Sequence, residues 1–279
     1  MKRFIYLFTI LFATSCASTQ TISDSEDSRP DDPSLQATLW VQNSAEYVAL
    51  NYQTYKTAER NLPLPLEDSF WTASVNQANE SNFNNLPPAI IMDIDETVLD
   101  NSPFQARMIL EGKSYNEEDW NEWALEANAD AVPGALEFTR YANEQGVTIF
   151  YLSNRSYEVE EATRKNLIDL GFPVSRNLDN ILTNGEQPNW NSSKINRRKM
   201  IEDNYRVIMI FGDDLNDFFS AKEISQAQRE NKVIDYAKYF GRKWFILPNP
   251  IYGSWDSVLR FELEDGDSSH YGLDPVYKN

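Results

Sequence analysis

The chain has 279 residues, 41% of them hydrophobic, with seven Trp, 14 Tyr and 15 Phe, enough for the core of one α/β domain with an insertion or of two small domains. Its formal net charge of -18 argues against a nucleic-acid polymer as partner, because such binding needs a basic patch. One Cys and one His leave no disulfide framework and argue against phosphohistidine chemistry and His-rich zinc or binuclear sites.

Residues 1–16 read MKRFIYLFTILFATSC. A basic start at Lys2 and Arg3, an apolar stretch from Phe4 to Phe12 and small residues after it predict a secretory signal peptide over residues 1–15. The stretch is too short for a bilayer span, which takes about 20 residues. Ala13-Thr14-Ser15-Cys16 resembles the lipobox of bacterial lipoproteins, with Ala13 where Leu is more usual. That resemblance implies cleavage before Cys16, lipidation of Cys16 and an exported protein anchored to a membrane. Ala17 in place of Asp after the cysteine favours the bacterial outer membrane. The alternative is ordinary cleavage and a soluble secreted protein. Residues 16–34 are polar, acidic and free of aromatics, and read as a flexible tether.

Between Leu35 and Arg60, Ala45, Val48, Tyr52 and Tyr55 fall three or four residues apart and predict a helix. A second helix is expected from Leu66 to Asn79, making residues 35–80 an N-terminal helical segment. The first strand is expected over residues 88–94. Its run Ala89-Ile90-Ile91-Met92 has the unbroken hydrophobicity of a parallel strand covered on both faces. It ends in Asp93-Ile94-Asp95-Glu96-Thr97. Two carboxylates so close in low dielectric are costly unless a cation or a reaction uses them. Strand C-termini are also where open α/β sheets bind ligands. An acidic strand-to-loop turn is the alternative, and this segment alone does not decide.

Residues 104–130 place Trp120 and Trp123 in an acidic helical setting with no strand pattern, and are expected to form an inserted helical cap. Pro133-Gly134 opens a helix from Ala135 to Gln145, closed by Gly146. Val147 to Leu152 predicts a second strand, ending in Ser153-Asn154-Arg155, and Glu158 to Leu170 a helix closed by Gly171. Residues 181–183 are a candidate short strand, and Ser192 to Asp203 a helix rich in Lys and Arg. Val207 to Phe211 predicts a third strong strand, ending in Gly212-Asp213-Asp214-Leu215-Asn216-Asp217. Trp244 to Leu247 is the last strand. Alternating strands and helices predict an α/β fold, a three-layer parallel sheet with helices on both faces, plus the small cap. No internal repeat is visible.

A parallel sheet would gather Asp93, Asp95, Ser153, Asp213 and Asp217 at one rim, with Lys194 supplied by the basic helix. Alone, Asp213 to Asp217 would read as a helix N-cap with acids in the first turn. Joined to Asp93 and Asp95 they read as a site.

These residues carry a resemblance. LWVQNSAEY (39–47), DIDETVLDNSPF (93–104), DW..W (119–123), AVPGALEF (131–138), FYLSNR (150–155), GDDLNDF (212–218) and LPNPIYGSW (247–255) resemble the phosphatase branch of the haloacid-dehalogenase (HAD) superfamily. Within it they look most like the bacterial class C acid phosphatases, outer-membrane lipoproteins that act on nucleoside monophosphates. The resemblance runs over residues 39–255 and implies a HAD-like Rossmannoid domain over residues 35–279.

It further implies a Mg²⁺-dependent acid phosphatase acting on phosphomonoesters, with nucleoside 5′-monophosphates as the expected substrates and no polymer as partner. Asp93 would be the nucleophile and form an aspartyl phosphate. Asp95 would protonate the leaving oxygen and then deprotonate water. Mg²⁺ would be held by Asp93, the Asp95 carbonyl and Asp213, with Asp217 acting through a water; Asp214 would support that shell or face the helix. Ser153 would donate to a phosphoryl oxygen, and Lys194 would neutralise the phosphate, with Lys199 as its competitor. Asn154 and Arg155 would bind substrate, although Arg155 could equally cap a helix. Phe104, Trp120 and Tyr252 are the candidates for nucleobase contact, against the ordinary expectation that aromatics, Trp123 and Trp255 included, are core. His270 reads as a surface residue. Other readings are a surface lipoprotein that binds haem or a nucleotide without catalysis, and a phosphotransferase. A homodimer is one option for the assembly.

Overall fold

The apolar run identified in the sequence forms the middle strand of a five-stranded parallel sheet. The computed structural model describes residue 30, residues 32–80 and residues 82–264, the last four by backbone alone. The expected signal peptide, Cys16, nearly all of the tether and His270 lie outside the described residues. Contacts divide the chain into Met1–Pro30 and Asp31–Asn279, and every element below belongs to the second unit.

In chain order the elements are α1 (Leu35–Asn43), α2 (Ala45–Asn61), α3 (Pro63–Glu67), β1 (Pro88–Met92), β2 (Leu99–Asp100), α4 (Ser102–Glu111), α5 (Glu117–Glu126), β3 (Asp130–Ala131), α6 (Ala135–Glu144), β4 (Thr148–Ser156), α7 (Glu160–Leu170), β5 (Ile181–Asn184), α8 (Ile195–Glu202), β6 (Arg206–Gly212), α9 (Gln226–Asp235), β7 (Trp244–Ile246) and α10 (Ser254–Glu264). The strand order is β5-β4-β1-β6-β7, with every neighbouring pair parallel. The C-terminal ends of β1, β4 and β6 therefore lie side by side, which sets the place of the site.

Strand period two divides the apolar residues between two cores. Ile90 and Met92 of β1 and Ile149 and Tyr151 of β4 face a core completed by Tyr55 and Ala58 of α2 and Phe138 of α6. Ala89, Ile91, Phe150 and Leu152 face the other, with Ile201 of α8 and Trp244. The β1–β6 register shifts between Ala89 and Ile90, which pair with Val207 and Met209. That extra residue in β6 is a bulge, and it puts Ile208, Met209 and Phe211 in one core and Ile210 in the other. Phe211 stacks on Tyr55 at 5.5 Å and on Phe245 at 4.8 Å between ring centroids. Burying one such ring stabilises the fold by about 1.5–3 kcal/mol. The Tyr55 hydroxyl donates to the Thr97 carbonyl at 2.6 Å, so α2 braces the turn that follows β1.

Several expected boundaries shift. The helix from Leu35 to Arg60 breaks at Ser44, whose hydroxyl accepts from the Tyr47 amide and caps α2. The helix expected from Leu66 to Asn79 is reduced to the end of α3 and a 3-10 turn at Gln77–Asn79. Residues beyond α3 instead run to a buried hydrogen-bonded anchor, in which Gln77 donates to the Glu202 and Tyr205 carbonyls at 2.8 and 2.7 Å. The cap holds the expected helices, α4 and α5, but is closed at its base by an antiparallel ribbon of β2 and β3. Two-residue strands leave no periodicity to read. Helices α9 and α10 were not expected; α9 starts with a Ser225–Gln228 capping box. No helix among the described residues is long and apolar enough to cross a membrane.

Candidate active site

The chain leaves β1 into a tight turn that carries Asp93 and Asp95. The Asp93 amide donates to the Phe211 carbonyl at 3.0 Å, so the first carboxylate leaves the sheet while its backbone is still paired to β6. The Val98 and Leu99 amides both donate to the Ile94 carbonyl, closing the turn. Glu96 sits in it at φ +56°, a left-handed conformation costly for a side chain with a Cβ. It is held there by the Asn101 amide on its carboxylate at 2.8 Å and by a short hydrogen bond from the Tyr252 hydroxyl. Burial, with Asp95 and Asp100 nearby, pushes the Glu96 carboxyl well above the usual range.

Asp93 and Asp95 face different partners. Asp93 is buried and accepts a short hydrogen bond from the Lys194 ammonium, which also donates to Asp217 at 2.7 Å. Asp95 is met by three donors. Arg155 Nε and Asn101 Nδ2 reach its Oδ1 at 2.8 and 3.0 Å, and the Ser153 hydroxyl reaches Oδ2 at 3.0 Å. Ser153, expected to donate to a phosphoryl oxygen, is fully buried and spends its proton on Asp95. Arg155 is buried as well, and spans Asp95, Asn101 and the Thr163 hydroxyl. It neither caps a helix nor stands free for a substrate, although its side chain forms part of the cavity wall.

The residues after β6 do two things at once. Asp214 is the N-cap of a 3-10 turn, Leu215–Asp217, with Asp217 reaching back to the Asp214 amide at 3.2 Å in a capping box. Asp213 and Asp217 also converge on Asp93, one carboxylate oxygen of each lying within 4.8 Å of the others. Capping and ligation are thus compatible. Gly212 makes room for this: a Cβ there would lie 2.3 Å from Asp217 Oδ2. Asn249, in the loop after β7, donates to Asp213 at 2.8 Å. Asp214 accepts from the Ser254 hydroxyl at 2.6 Å and so ties the N-terminus of α10 to the site.

Lys194, not Lys199, reaches the carboxylate cluster. Lys199 lies on the exposed side of α8 and donates to Asp203 at 2.8 Å. Burial alone would push Lys194 down, but Asp217 and Asp93 outweigh it and hold the ammonium above its usual value. The loop that delivers Lys194 is clamped by Arg197, a fully buried residue that sequence reasoning missed. Its guanidinium donates to the Asn191 and Leu182 carbonyls at 2.8 and 3.2 Å, to Asn154 Oδ1 at 2.7 Å, and by a short bond to the Ser153 carbonyl. The only sequence signal was excess positive charge in α8.

Above these groups opens a cavity of about 610 Å³, within the usual range of small-molecule sites. Asp93, Asp95, Lys194, Asp213 and Asp217 line its floor, and Trp120, Tyr115, Asn154 and Tyr252 line its walls. Phe104 is not part of this wall. It is 1% exposed and packs edge-on behind Trp120 and Tyr115, at 5.1 and 6.3 Å. The reason is its place on the inner face of α4, which supports the cap. Tyr115, 62% exposed at the cavity mouth, was missed because nothing marks a lone tyrosine in a polar loop. Tyr252 does reach the cavity, but its hydroxyl is committed to Glu96.

Three buried or half-buried carboxylates, with no nitrogen or sulfur donor among them, fit a hard divalent cation. Their protonation behaviour agrees. Burial pushes Asp93 up to about 7, against the pull of Lys194 and with help from Asp217 and Asp95. Burial, then Asp93 and Asp217, push Asp213 well above the ordinary carboxylate range.

Comparison with known proteins follows the same lines. Residues 14–255 match the family described as HAD superfamily, subfamily IIIB (acid phosphatase). Among solved structures, the class C acid phosphatase of Bacillus anthracis is 34% identical with a TM-score of 0.72, over 87% of this chain and 97% of that one. The same enzyme with tungstate bound matches equally well. The stem 28 kDa glycoprotein of Glycine max is 26% identical over 166 residues, 58% of each chain. Acid phosphatase 1 of Solanum lycopersicum is 24% identical over 166 residues, 58% of this chain and 57% of that protein. The chain spans less than two thirds of the length of these two curated relatives.

The raised Asp93 carboxyl makes a prediction about stability. Without metal, the folded state holds the Asp93 proton more tightly than the unfolded chain does. The associated stability is fully present below about pH 4 and is lost as pH rises through about 7. In chelator, the melting temperature of the wild type should therefore fall across this window relative to that of Asp93→Asn. A divalent cation held by these carboxylates should reverse the trend, stabilising more at pH 7 than at pH 5, since cation and proton compete for the same oxygens. Parallel melting curves for the two proteins in chelator would contradict this.

Proposed function

The chain belongs to the HAD superfamily, subfamily IIIB, the acid phosphatases, and from that premise we propose that it is a Mg²⁺-dependent phosphomonoesterase acting on nucleoside 5′-monophosphates through an aspartyl-phosphate intermediate. The observation that carries the reading is the pair Asp93 and Asp95, two residues apart yet held by different partners, an ammonium for one and three hydrogen-bond donors for the other. Two carboxylates with separate environments can take two roles.

In the first step an Asp93 oxygen forms a bond to phosphorus and the ester P–O bond breaks. The departing oxygen takes the proton carried by Asp95. In the second, a water attacks phosphorus and gives its proton to Asp95. The acyl-phosphate bond breaks, freeing phosphate and restoring both carboxyl groups. Lys194 sets a positive charge beside Asp93 throughout. Asp93, Asp213 and the Asp95 carbonyl would hold the cation, with Asp217 acting through a water. When bound, Mg²⁺ supplies charge for the phosphoryl oxygens and normally keeps several waters. The Bacillus anthracis relative accommodates tungstate, a tetrahedral oxyanion of the same shape as phosphate.

The function is tested by phosphate release from a panel of phosphomonoesters with Mg²⁺ and with chelator. Asp93→Asn should abolish release in a folded protein, and Asp95→Asn should slow it about 10²–10⁴-fold, the scale of general acid–base groups. Near-normal turnover in both variants would overturn the mechanism.

Nucleotide preference is supported by the aromatic wall of Trp120, Tyr115 and Tyr252 over the carboxylates. Trp120 is the residue to change, because Tyr252 also braces Glu96. Stacking of a base is worth about 1–3 kcal/mol. Trp120→Ala should weaken kcat/KM for a nucleoside monophosphate accordingly and cost a small phosphomonoester less. Equal losses for both substrates would leave the wall without a part in substrate choice.

The leader supports export and anchoring through a lipid on Cys16, with the outer membrane as destination. Fatty-acid labelling should be seen in the full chain and lost in Cys16→Ser. Unlabelled wild type recovered wholly in the soluble fraction would remove the anchor.

A further inference from the structure

Asn101 stands at the N-cap of α4, where an asparagine side chain ordinarily accepts from the helix amides, but it makes no such bond. Its side chain is fully buried and turned toward Asp95 instead. The amide orientation follows from its neighbours. Oδ1 faces two groups that can only donate, Trp123 Nε1 at 2.8 Å and Arg155 Nη2 at 3.0 Å. Nδ2 faces acceptors, Asp95 Oδ1 at 3.0 Å, with Glu96 Oε2 and the Leu99 carbonyl each at 3.4 Å. The backbone amide of the same residue holds Glu96 at 2.8 Å. One asparagine therefore joins the cap helix α5, through Trp123, to the turn that carries Asp95.

The consequence for Asp95 lies in which of its oxygens is free to carry a proton. Oδ1 accepts two N–H bonds, from Arg155 Nε and Asn101 Nδ2, and neither donor can act as an acceptor. A proton on Oδ1 would face two hydrogens. Among the described residues Oδ2 meets only the Ser153 hydroxyl, which can rotate and accept.

We propose that Asn101 is a positioning residue for the acid–base carboxylate: with Arg155 it holds Oδ1 of Asp95 so that Oδ2 carries the transferable proton, and through Trp123 it couples the seating of the cap to proton transfer. The inference rests on the phosphomonoesterase reading above and deepens it. The second cap tryptophan has its own line to the same oxygen. Trp120 lies under the Arg155 guanidinium at 5.6 Å, and Arg155 binds Asp95. Contact of a substrate with the cap is then felt at the proton-donating group, so selectivity appears in kcat as well as in KM.

Asn101→Ala and Trp123→Phe test this with two esters, an alkyl phosphate whose oxygen must be protonated to leave and a 4-nitrophenyl phosphate whose oxygen need not be. For Asn101→Ala, kcat on the alkyl ester should fall about 10²-fold, the cost of a displaced reacting group, with KM changed less than about threefold. On the aryl ester, the pre-steady-state burst that reports phosphorylation of Asp93 should keep its rate within about threefold. The steady state after it should slow, because attack by water still needs Asp95 as base. Trp123→Phe removes the N–H together with the pyrrole part of the indole but keeps an aromatic ring in place, so it tests the relay even if Asn101→Ala fails to fold. It should show the same pattern at about 3–10-fold, the effect of losing one neutral hydrogen bond. Equal slowing of phosphorylation by both esters in Trp123→Phe, or no change in kcat on the alkyl ester, would overturn the proposal. A wild type inert toward both esters would strike at the phosphomonoesterase reading instead.

Discussion

The arrangement depends on one buried cation among like charges. Lys194 lies 5% exposed between Asp93 and Asp217, with Asp213 close by. Three carboxylates brought this near each other in a low dielectric repel, and one ammonium offsets only part of the repulsion. Much else in the molecule exists to bring Lys194 there. It is the residue just before α8, delivered by a loop that Arg197 clamps to β4 and β5 through carbonyl oxygens. Burial holds the Arg197 guanidinium down to about 10, a cost that is met only because its hydrogen bonds go to fixed backbone groups.

The same constraint separates the carboxylates of Asp93 and Asp95. Lys194 serves Asp93 and leaves Asp95 to a different set, Ser153 and Arg155 from β4 and Asn101 from the start of α4. Sheet order makes this possible. β1 lies between β4 and β6, so a residue at its end can be met from either side. Asp93 meets the β6 side through Asp217 and the lysine loop. Asp95 meets the β4 side. Two residues along the chain thus become two chemical environments without any long excursion of the backbone.

How far the sequence announced this can be traced residue by residue. The strands β1, β4 and β6 were legible because buried strands need unbroken apolar runs, and their polar ends marked the rim. Asp93, Asp95, Asp213 and Asp217 were legible for the same reason. Partners set by distant contacts were not. Ser153 was found as a rim residue, but its bond to Asp95 depends on a register between β1 and β4 that no local pattern encodes. Arg155 was read as a substrate binder or a helix cap and Asn101 was not singled out, and their roles come from contacts 60 and 6 residues away. Phe104 and Trp120 lie on successive cap helices, yet α4 turns the first into the core and α5 leaves the second half-buried at the cavity wall. The cap ribbon and the long helix expected at 66–79 departed differently: two-residue strands carry no period, and between α3 and the 3-10 turn at Gln77 the chain is held by tertiary hydrogen bonds that no local pattern encodes.

The charge of the cavity has a last consequence for how it can hold a substrate. Asp93, Asp95, Asp213, Asp214, Asp217 and Asp256 line it, against Arg155, Lys194 and Lys222. Arg155 and Lys194 are already engaged with carboxylates. An entering phosphate dianion meets an excess of like charge, within a chain of net charge -18. A divalent cation among Asp93, Asp213 and Asp217 would remove most of that excess at the reacting end, but it does nothing for the organic end of the ester. Affinity there has to come from surfaces that the acidic field does not oppose. The aromatic faces of Trp120 and Tyr115 are such surfaces, since stacking does not require a net charge on the ligand. An acidic floor and an aromatic wall are therefore complementary answers to the same electrostatic problem, one requiring a metal and the other avoiding charge altogether.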